Sequence, residues 1–503
     1  MSSDEKCPEC NQEYDRYWCK PCNSKRFQND FNKWASGNDK IDKFIQYAQL
    51  NANNDFQVIE WIPYDRFKDV KQIGKGGFGT IHYARWIDGP INEWDIENQQ
   101  WKRYFENLEV ALKKFDNFVN FNDVLNEMEI HLKTRVQYTS IQFYGITQDP
   151  ETNSYMMVLA YAADGNLREY LKINFNNINW KQKLQNLLLL SERLMDIHEL
   201  DIIHQDFHPG NILAFDFKDY LEISDFGLSK LIGANLNNPE KMNIFGVLPY
   251  IAPEVLSGDE EYTKAADVYS FGIIAFEIVT GFPPYPDIPH DKDLAIKICN
   301  GLRPKIPFHT PKLITRMIMR CWDARVTHRP TFRELFDELD EYYYDYFFHL
   351  NEGINNDSEI VIQIKKAEEF SANQELTIAT TTTLKTPLNY QTHPQAIYTS
   401  RLLNYSNLPK PKNEKNFERE LEELTKSMSN LCPRNNNKGN MNLSQALKYN
   451  FNDSGCTLKV ATQTGCPLFE SNHFQQMMDA YNSCRRDTCE SNSNISSADS
   501  NNK

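Results

Sequence analysis

The chain has 503 residues, of which 40% are hydrophobic and 13% aromatic, and it carries a formal net charge of −15. That composition provides a sizeable core, and the length exceeds one ordinary domain. The negative charge argues against binding to nucleic acid or to a membrane surface. The longest apolar runs, at 187–190 and 271–278, are too short to span a bilayer.

The N-terminus has no apolar signal segment, and position 2 is a serine where N-myristoylation requires a glycine. We therefore expect a cytoplasmic protein with no membrane partner. In that setting the eleven cysteines are expected to be thiols or metal ligands and not disulfides.

Four of these cysteines form two C-x2-C pairs, separated by eight residues, at Cys7, Cys10, Cys19 and Cys22. Two chelating turns brought face to face supply the four thiolates of a tetrahedral zinc site. Reduced thiols or a redox pair are the alternative, but zinc is favoured because metal binding would order a short polar segment. We predict a Cys-rich, zinc-binding arm with a helix over residues 1–60.

From residue 66 to residue 344, short β-like runs alternate with helical periods, which is typical of an α+β domain. The predicted strands are 70–73, 80–86, 110–115 and 155–161. The predicted helices are 121–132, 180–200, 264–280 and 311–322.

Beyond residue 344 the composition shifts toward Asn, Ser, Thr and Lys, so residues 345–503 are predicted to be a low-complexity, largely disordered tail. Within this tail, apolar residues spaced by three or four predict a short amphipathic helix over 416–431.

A glycine-rich segment, Gly74-x-Gly76-x-x-Gly79, lies between two β-like runs. Without side chains there, backbone N–H groups can close over phosphates. A tight hairpin is the alternative interpretation. The dinucleotide-binding version of this motif requires a helix next, whereas here a strand follows, which favours a loop over ATP.

The sequence Val-Ala-Leu-Lys ending at Lys113 matches a pattern in which the lysine pairs with the α- and β-phosphates and with a glutamate on the next helix. Glu127 fits the second role. A surface lysine on a strand is the alternative interpretation. Residues 88–109 form a long insertion before Lys113 and are expected to extend outward from the domain.

The segment from His204 to Asn211 reads His-Gln-Asp-Phe-His-Pro-Gly-Asn. In this pattern Asp206 orients the acceptor hydroxyl and takes its proton, while Asn211 and Asp225, the latter in Asp-Phe-Gly, hold magnesium. An Ala-Pro-Glu sequence ending at Glu254 closes the segment. Motifs in this order, on the expected strands and loops, leave little room for coincidence.

With these motifs, residues 66–344 resemble a eukaryotic protein kinase, closest to the tyrosine-kinase-like group. Further support comes from Asp-Val-Tyr-Ser-Phe-Gly at 267–272, Cys-Trp at 321–322 and Arg-Pro at 329–330. The cysteine pairs, the lead-in at 61–66 and the string Thr-His-Pro-Gln-Ala-Ile-Tyr-Thr-Ser at 392–400 also resemble a large kinase family of arbuscular mycorrhizal fungi.

The resemblance implies a bilobal fold with a small β-rich N-lobe and a larger helical C-lobe. It also implies that Asp267 braces the catalytic loop, that Arg329 pairs with Glu254, and that ATP binds with Mg²⁺ or Mn²⁺. Leu159 is the implied gatekeeper before a hinge at 160–163. The implied ATP-binding residues are Ile73, Gly74, Gly76, Gly79, Ile81, Ala111, Lys113, Leu159, Ala160, Ala162 and Leu213.

Some positions depart from the family pattern. Gln205 replaces the Arg that in many kinases pairs with a phosphorylated activation loop, and residues 230–249 contain no Ser, Thr or Tyr. We therefore hypothesise activity without activation-loop phosphorylation. His208 and Val247 replace a Lys and a Thr that are usual in serine/threonine kinases.

The leading hypothesis is an ATP-dependent kinase that phosphorylates Ser or Thr hydroxyls of proteins, with tyrosine left open. Its substrates, and protein partners of the arm or tail, are the expected partners. The alternative is a nucleotide-binding pseudokinase scaffold, since fold alone does not establish activity. Retention of Lys113, Glu127, Asp206, Asn211 and Asp225 favours the enzyme.

Overall fold

The computed structural model describes residues 6–12, 18–75, 79–115, 121–135, 139–218, 220–231, 244–378, 392–403, 405–429, 448–450 and 457–459. The chain divides into two units, residues 1–428 and 429–503. In the second unit, the described strands Lys448–Asn450 and Thr457–Lys459 pair antiparallel. All other elements named below begin in the first unit.

The N-terminal arm contains two helices and a short strand, α1 (Lys20–Asp30), α2 (Asp39–Asn51) and β1 (Glu60–Trp61). The side chain of Asn38 caps α2 by accepting a hydrogen bond from the Lys40 backbone N–H. Ile41, Ile45 and Ala48, spaced by four and three, are buried along one side of α2. This apolar side requires a partner surface.

The N-lobe supplies that surface. Its elements are β2 (Phe67–Lys75), β3 (Gly79–Trp86), β4 (Ile91–Asp95), β5 (Gln100–Arg103), β6 (Leu108–Phe115), α3 (Phe121–Arg135), β7 (Phe143–Gln148) and β8 (Tyr155–Ala160). A six-stranded sheet has the order β1-β7-β8-β6-β3-β2, with β1 parallel to β7 and the other pairs antiparallel. Helices α2 and α3 share one core with the sheet, so the arm is part of the N-lobe.

The insertion before Lys113 forms the β4–β5 hairpin, which pairs outside the six-stranded sheet. The Trp101 ring on this hairpin stacks on Phe27 of α1, with ring centroids 4.5 Å apart. Trp18 lies buried beside them and donates its Nε1–H to the Ala52 carbonyl at 3.1 Å. The insertion is therefore external to the sheet but packed against the arm.

The C-lobe is mainly helical. Its elements are α4 (Leu167–Asn174), α5 (Trp180–Glu199), β9 (Ile202–Ile203), β10 (Ile212–Leu213), β11 (Glu222–Ile223), β12 (Lys230–Leu231), β13 (Ile244–Gly246), α6 (Pro253–Ser257), α7 (Lys264–Thr280), α8 (Lys292–Cys299), α9 (Lys312–Cys321) and α10 (Phe332–Glu352). Helix α7 is buried from Ala266 to its end. A Cβ on Gly272 would lie 2.7 Å from the Cys321 Cβ, so a glycine lets α7 and α9 pack closely.

Packed structure continues past the predicted domain boundary at residue 344. Helix α11 (Glu359–Ile378) buries Ile360, Val361 and Ile364 in the large-lobe core. Strand β14 (Arg401–Leu403) pairs antiparallel with β13, and α12 (Phe417–Ser429) buries Phe417 in the same core. Helix α12 lies within the predicted range 416–431. The predictions for 379–391, 430–447, 451–456 and 460–503 concern positions outside the described residues.

The predicted α+β, two-lobed fold is confirmed, as are the eight predicted strands and helices, with ends differing by a few residues. Among the described residues, no helix has the length and apolarity required to cross a membrane.

We predict that Ile45→Ala lowers the free energy of unfolding by about 2–5 kcal/mol, because the Ile45 side chain is fully buried between α2 and the N-lobe. Urea unfolding followed by tryptophan fluorescence measures the change. Tyr47→Ala on the same helix is the matched control, since Tyr47 is 64% exposed. Equal effects of the two substitutions would show that α2 is not part of the N-lobe core.

Candidate active site

Lys113 is a buried cation held between two carboxylates. Strand β6 carries it between Ile81 of β3 and Met157 of β8. Its Nζ lies 2.5 Å from Glu127 Oε1, on α3, and 2.8 Å from Asp225 Oδ1. Burial acts to lower the pKa of Lys113, but the two carboxylates outweigh it and raise the pKa above its usual value. The ammonium therefore stays charged.

A column of rings fixes α3 against the Asp-Phe-Gly segment. His131, one turn after Glu127, meets the Phe226 ring edge-on at 5.0 Å between centroids, and Phe226 lies 5.1 Å from His204. Burial lowers the pKa of His131 to about 3, so its neutral ring packs like an aromatic side chain. No motif in the sequence indicated this role for His131. Its spacing of four residues from Glu127 was the available signal.

Asp267 on α7 holds the catalytic loop, as the resemblance implied. Its carboxylate accepts hydrogen bonds from the backbone N–H groups of His204 at 2.9 Å and Gln205 at 3.1 Å. Gln205 has a left-handed backbone, with φ of 67°. Such a conformation is unfavourable outside glycine and persists where surrounding bonds enforce it. The Asp267 carboxylate supplies that enforcement.

Asp206, the predicted base, lies beside His208 and the activation segment. His208 Nδ1 accepts the Gly210 backbone N–H at 3.0 Å, so the proton of a neutral ring is on Nε2. That Nε2 lies 3.6 Å from Asp206 Oδ1. A Cβ built on Gly246 would lie 3.3 Å from the same carboxylate oxygen. Gly246 therefore lies close to Asp206.

The predicted metal ligands, Asn211 and Asp225, are brought together by the β10–β11 hairpin, which pairs Ile212 with Ile223. Asn211 donates its Nδ2–H to the Asp206 carbonyl at 2.9 Å, which leaves the amide oxygen as the metal-binding atom. Burial acts to raise the pKa of Asp225, but Lys113 holds it below its usual value. An ionised carboxylate and an amide oxygen fit Mg²⁺, which prefers oxygen ligands.

Five of the predicted ATP-binding residues are in contact with the N-lobe core. Leu159, Ala160 and Ala162 belong to that core, and Ala111 and Leu213 pack against it. Ile81 pairs with Gly74 in the β2–β3 hairpin, and Ile73, next to Gly74, is 47% exposed. Gly76 lies outside the described residues.

Gly79 has a structural reason to be glycine that is separate from phosphate binding. A Cβ at this position would lie 2.0 Å from the Lys114 carbonyl oxygen across the β3–β6 pair. Any larger residue would therefore push these two strands apart.

Arg329 pairs with Glu254, as the resemblance implied, through two hydrogen bonds of 2.7 Å each. Both side chains are buried. A buried bidentate pair leaves few alternative geometries, so it ties the end of the activation segment to the large lobe.

The four arm cysteines are assembled into one cluster, with all Sγ atoms within 4.8 Å of one another. The Cys7–Cys22 and Cys10–Cys19 Sγ distances are 3.8 Å and 3.5 Å. A tetrahedral zinc with Zn–S bonds of about 2.3 Å has sulfur–sulfur edges of about 3.8 Å. The observed distances fit that tetrahedron and are well above the roughly 2 Å of a disulfide.

Comparison with known families identifies the domain. The model of the protein tyrosine and serine/threonine kinase family matches residues 67–339, more than half of the chain. The chain belongs to this protein kinase family. Membership implies ATP and Mg²⁺ as the ligands of the cleft described above.

Individual relatives include kinases named for both specificities. Tyrosine-protein kinase SPK-1 of Girardia tigrina is 28% identical over 57% of this chain and 54% of its own length. Serine/threonine-protein kinase VIK of Arabidopsis thaliana is 31% identical over 55% of this chain and 60% of its own length. Probable serine/threonine-protein kinase pats1 of Dictyostelium discoideum is 28% identical over 55% of this chain and 8% of its own length. The chain thus spans less than two thirds of each relative.

We predict that Lys113→Met slows phosphoryl transfer at least about 100-fold, because it removes the charge that contacts phosphates and leaves two carboxylates facing each other. Lys114→Met is the matched control, since Lys114 pairs with Asp149 at 2.6 Å outside the site. Rates with ATP and a generic protein substrate measure the effect. Equal rates for the two variants would contradict this assignment.

Proposed function

We propose that this chain is an active protein kinase that transfers the γ-phosphoryl group of ATP to Ser or Thr hydroxyls of proteins. The observation that carries the proposal is the bridge from Lys113 to Glu127 and Asp225. A pseudokinase scaffold has no physical need for this bridge together with a base, Asp206, and a second metal ligand, Asn211. The alternative of a pure scaffold is therefore not favoured.

Each active-site residue has a separate role in phosphoryl transfer. Lys113 contacts the α- and β-phosphates, and Asp206 orients the acceptor hydroxyl and takes its proton. His208 directs its Nε2–H into the same space and can donate to the transferred group. Asn211 and Asp225 would hold magnesium, which neutralises charge on the phosphates. Catalysis is then mostly positioning and electrostatic stabilisation.

We also assign the chain to the tyrosine-kinase-like group, with membership in the large family of arbuscular mycorrhizal fungi and a cytoplasmic location. Serine/threonine specificity is supported by the sequence Tyr-Ile-Ala-Pro-Glu at 250–254 and by the absence of the docking-loop Trp of tyrosine kinases. The names of the Arabidopsis and Dictyostelium relatives agree with it, whereas the planarian relative is named a tyrosine kinase.

Activity is further proposed to be independent of activation-loop phosphorylation. In kinases regulated by that modification, an Arg at the position of Gln205 receives the phosphate. Here the Asp267 carboxylate already holds the backbone at positions 204 and 205. The bridge at Lys113 is assembled as well. These contacts support a catalytic loop that is ordered without a phosphate.

We predict that the wild type labels a generic substrate with radioactive ATP and that Asp206→Asn reduces labelling by at least about 100-fold, since the proton acceptor is lost. Phosphatase pretreatment, with the phosphatase removed before the assay, is expected to leave the wild-type rate unchanged. Equal labelling by the two proteins would point to a contaminating kinase and favour the scaffold. Loss of activity with loss of a phosphate from Ser229 or Tyr250, the hydroxyl residues that flank 230–249 in the activation segment, would contradict the second proposal.

The arm is proposed to bind one structural zinc ion through Cys7, Cys10, Cys19 and Cys22. The support is the tetrahedral spacing of their sulfur atoms. Closed sites with four thiolates are structural and contribute to folding. The role of the metal here would be to hold Trp18 and α1 against the β4–β5 hairpin.

We predict about one zinc ion per purified full-length chain, measured by inductively coupled plasma mass spectrometry. Cys19→Ser is expected to lose the metal, whereas Cys299→Ser, at a free cysteine buried in the large lobe, keeps it. Zinc removal should also change Trp18 fluorescence. A wild type without bound zinc, or a Cys19→Ser variant that retains it, would contradict the site.

A further inference from the structure

We propose that the tail segment, residues 392–403, is an internal competitor that takes the place of a protein substrate beside Asp206. This inference rests on the proposed kinase activity. It concerns the string at 392–400 and strand β14, to which the sequence motifs assigned no chemistry. The ligand with which the tail segment competes is an extended stretch of polypeptide that carries a Ser or Thr hydroxyl.

The first observation is the pairing of β14 with β13. Arg401 lies opposite Gly246, and Leu403 lies opposite Ile244. A Cβ on Gly246 would lie 3.3 Å from Asp206 Oδ1. Because the Cα atoms of opposite residues in an antiparallel pair are at most about 5.5 Å apart, the Arg401 Cα lies within about 10 Å of that oxygen.

The distance from Asp206 to the tail segment is spanned by about three residues of extended chain. A substrate that presents its hydroxyl to Asp206 therefore brings its neighbouring residues into the space that β14 fills. Among the described residues, β14 is the only partner strand of β13. Without β14, β13 would be an open edge, which is a template for pairing with an extended peptide. One edge accepts one strand, so β14 and a substrate exclude each other there.

A chain of contacts links the tail segment to the catalytic loop at a second point. The Tyr398 carbonyl accepts the Arg168 Nη1–H at 2.9 Å, and the Arg168 guanidinium lies 4.6 Å from the Tyr398 ring centroid. Arg168 also donates its Nη2–H to the Tyr250 hydroxyl at 2.7 Å. The Tyr250 and His208 rings lie 6.2 Å apart between centroids. The tail segment is therefore fixed beside the catalytic loop at position 398 as well as at position 401.

Strand β14 offers no acceptor to the base. It reads Arg-Leu-Leu and contains no hydroxyl. Leu403 is buried in the large-lobe core, and Arg401 donates its Nη2–H to the His290 carbonyl. Ser400 precedes the strand, and because successive residues of an extended chain alternate, its side chain points to the face opposite Arg401. A ligand without a correctly placed hydroxyl fills the substrate position and is not phosphorylated there.

The large lobe is shaped to hold the tail. The His290 backbone N–H donates to the Gln395 carbonyl at 2.9 Å, and the His290 ring meets the Tyr398 ring edge-on at 4.7 Å between centroids. Farther along the tail, Gly301 has a φ of 102°, and a Cβ there would lie 2.5 Å from the Glu414 backbone nitrogen. A glycine at position 301 thus lets the tail approach. Contacts before and after β14 hold the strand in its register.

Covalent attachment makes this competition effective. A tethered segment acts at an effective concentration on the order of millimolar, so individually modest contacts can exclude a dilute substrate. The apparent KM for a protein substrate then rises in inverse proportion to the fraction of molecules whose β13 edge is free. Saturating substrate displaces the tail segment and leaves kcat unchanged. Internal competition therefore raises the KM for the protein substrate and leaves the KM for ATP unaltered.

The experiment measures steady-state kinetics of full-length protein with casein and ATP. Leu403→Ala removes the buried side chain of β14, and Leu402→Ala, at a residue that is 41% exposed, is the matched control. We expect Leu403→Ala to lower the KM for casein at least about 10-fold, with kcat and the KM for ATP changed less than about twofold. Leu402→Ala should behave like the wild type. A variant that was merely less stable would lose kcat and would not gain affinity for casein.

A second variant and a peptide keep the test independent of one substitution. Arg401→Ala removes the bond to the His290 carbonyl without a cavity in the core, so it should also lower the KM for casein. A synthetic peptide of residues 396–405 should inhibit the Leu403→Ala protein in competition with casein and not with ATP. The same peptide with Leu403→Glu should not inhibit. By fluorescence anisotropy, the labelled peptide should bind the Leu403→Ala protein at least about 10-fold more tightly than the wild type.

The outcomes separate this proposal from the kinase assignment. Active proteins with equal KM values for casein, or a peptide that does not compete with casein, would overturn the internal competitor and leave the kinase activity intact. Absence of transfer in every protein, with the peptide still binding the Leu403→Ala protein in preference to the wild type, would contradict the kinase activity and support docking of the tail segment on β13. Absence of both transfer and peptide binding would overturn both proposals.

Discussion

The active site depends on a single buried ammonium group. Lys113 Nζ cannot remain charged in the interior without compensating anions, because desolvation of an isolated ion is strongly unfavourable. Its two partners come from different elements, Glu127 from α3 and Asp225 from the segment after β11. Helix α3, strand β6 and the Asp-Phe-Gly segment must therefore adopt one mutual arrangement. The ring contacts of His131, Phe226 and His204 provide an apolar counterpart to this polar constraint.

The arm extends this constraint beyond the kinase domain. Ile45 of α2 and Met128 of α3 lie in one apolar core, so the position of α3 depends on the arm as well as on the sheet. Toward the N-terminus, Trp18 and Phe27 pack with Trp101 of the insertion. The cysteine cluster and Glu127 are thereby linked through contiguous packed elements. This contiguity gives the cysteine cluster a physical route by which its order can affect the position of Glu127.

Prediction from the sequence succeeded where chemistry requires particular residues at short spacing. The motifs containing Lys113, Asp206 and Asp225 indicated the fold and most of the site, since phosphate and metal contacts allow few substitutes. Prediction failed where the contacting residues are distant in sequence and belong to no motif. Trp101 stacks on Phe27 although the two lie far apart along the chain, and nothing in the local pattern of either segment predicts that contact. The packing of His131 against Phe226 was not predicted, because a histidine that packs as an apolar ring belongs to no sequence motif.

The tail shows why composition was a poor guide to residues 392–417. Among the described residues of this segment, three apolar side chains are buried, Ala396, Leu403 and Phe417, which is too little apolar area to predict folding. Backbone groups supply much of the remaining contact. The His290 backbone N–H donates to the Gln395 carbonyl, and the Lys412 backbone N–H donates to the Cys299 carbonyl. Such bonds depend little on side-chain identity and contribute modestly each. A segment held mainly in this way can dock in a defined register although its composition does not predict folding.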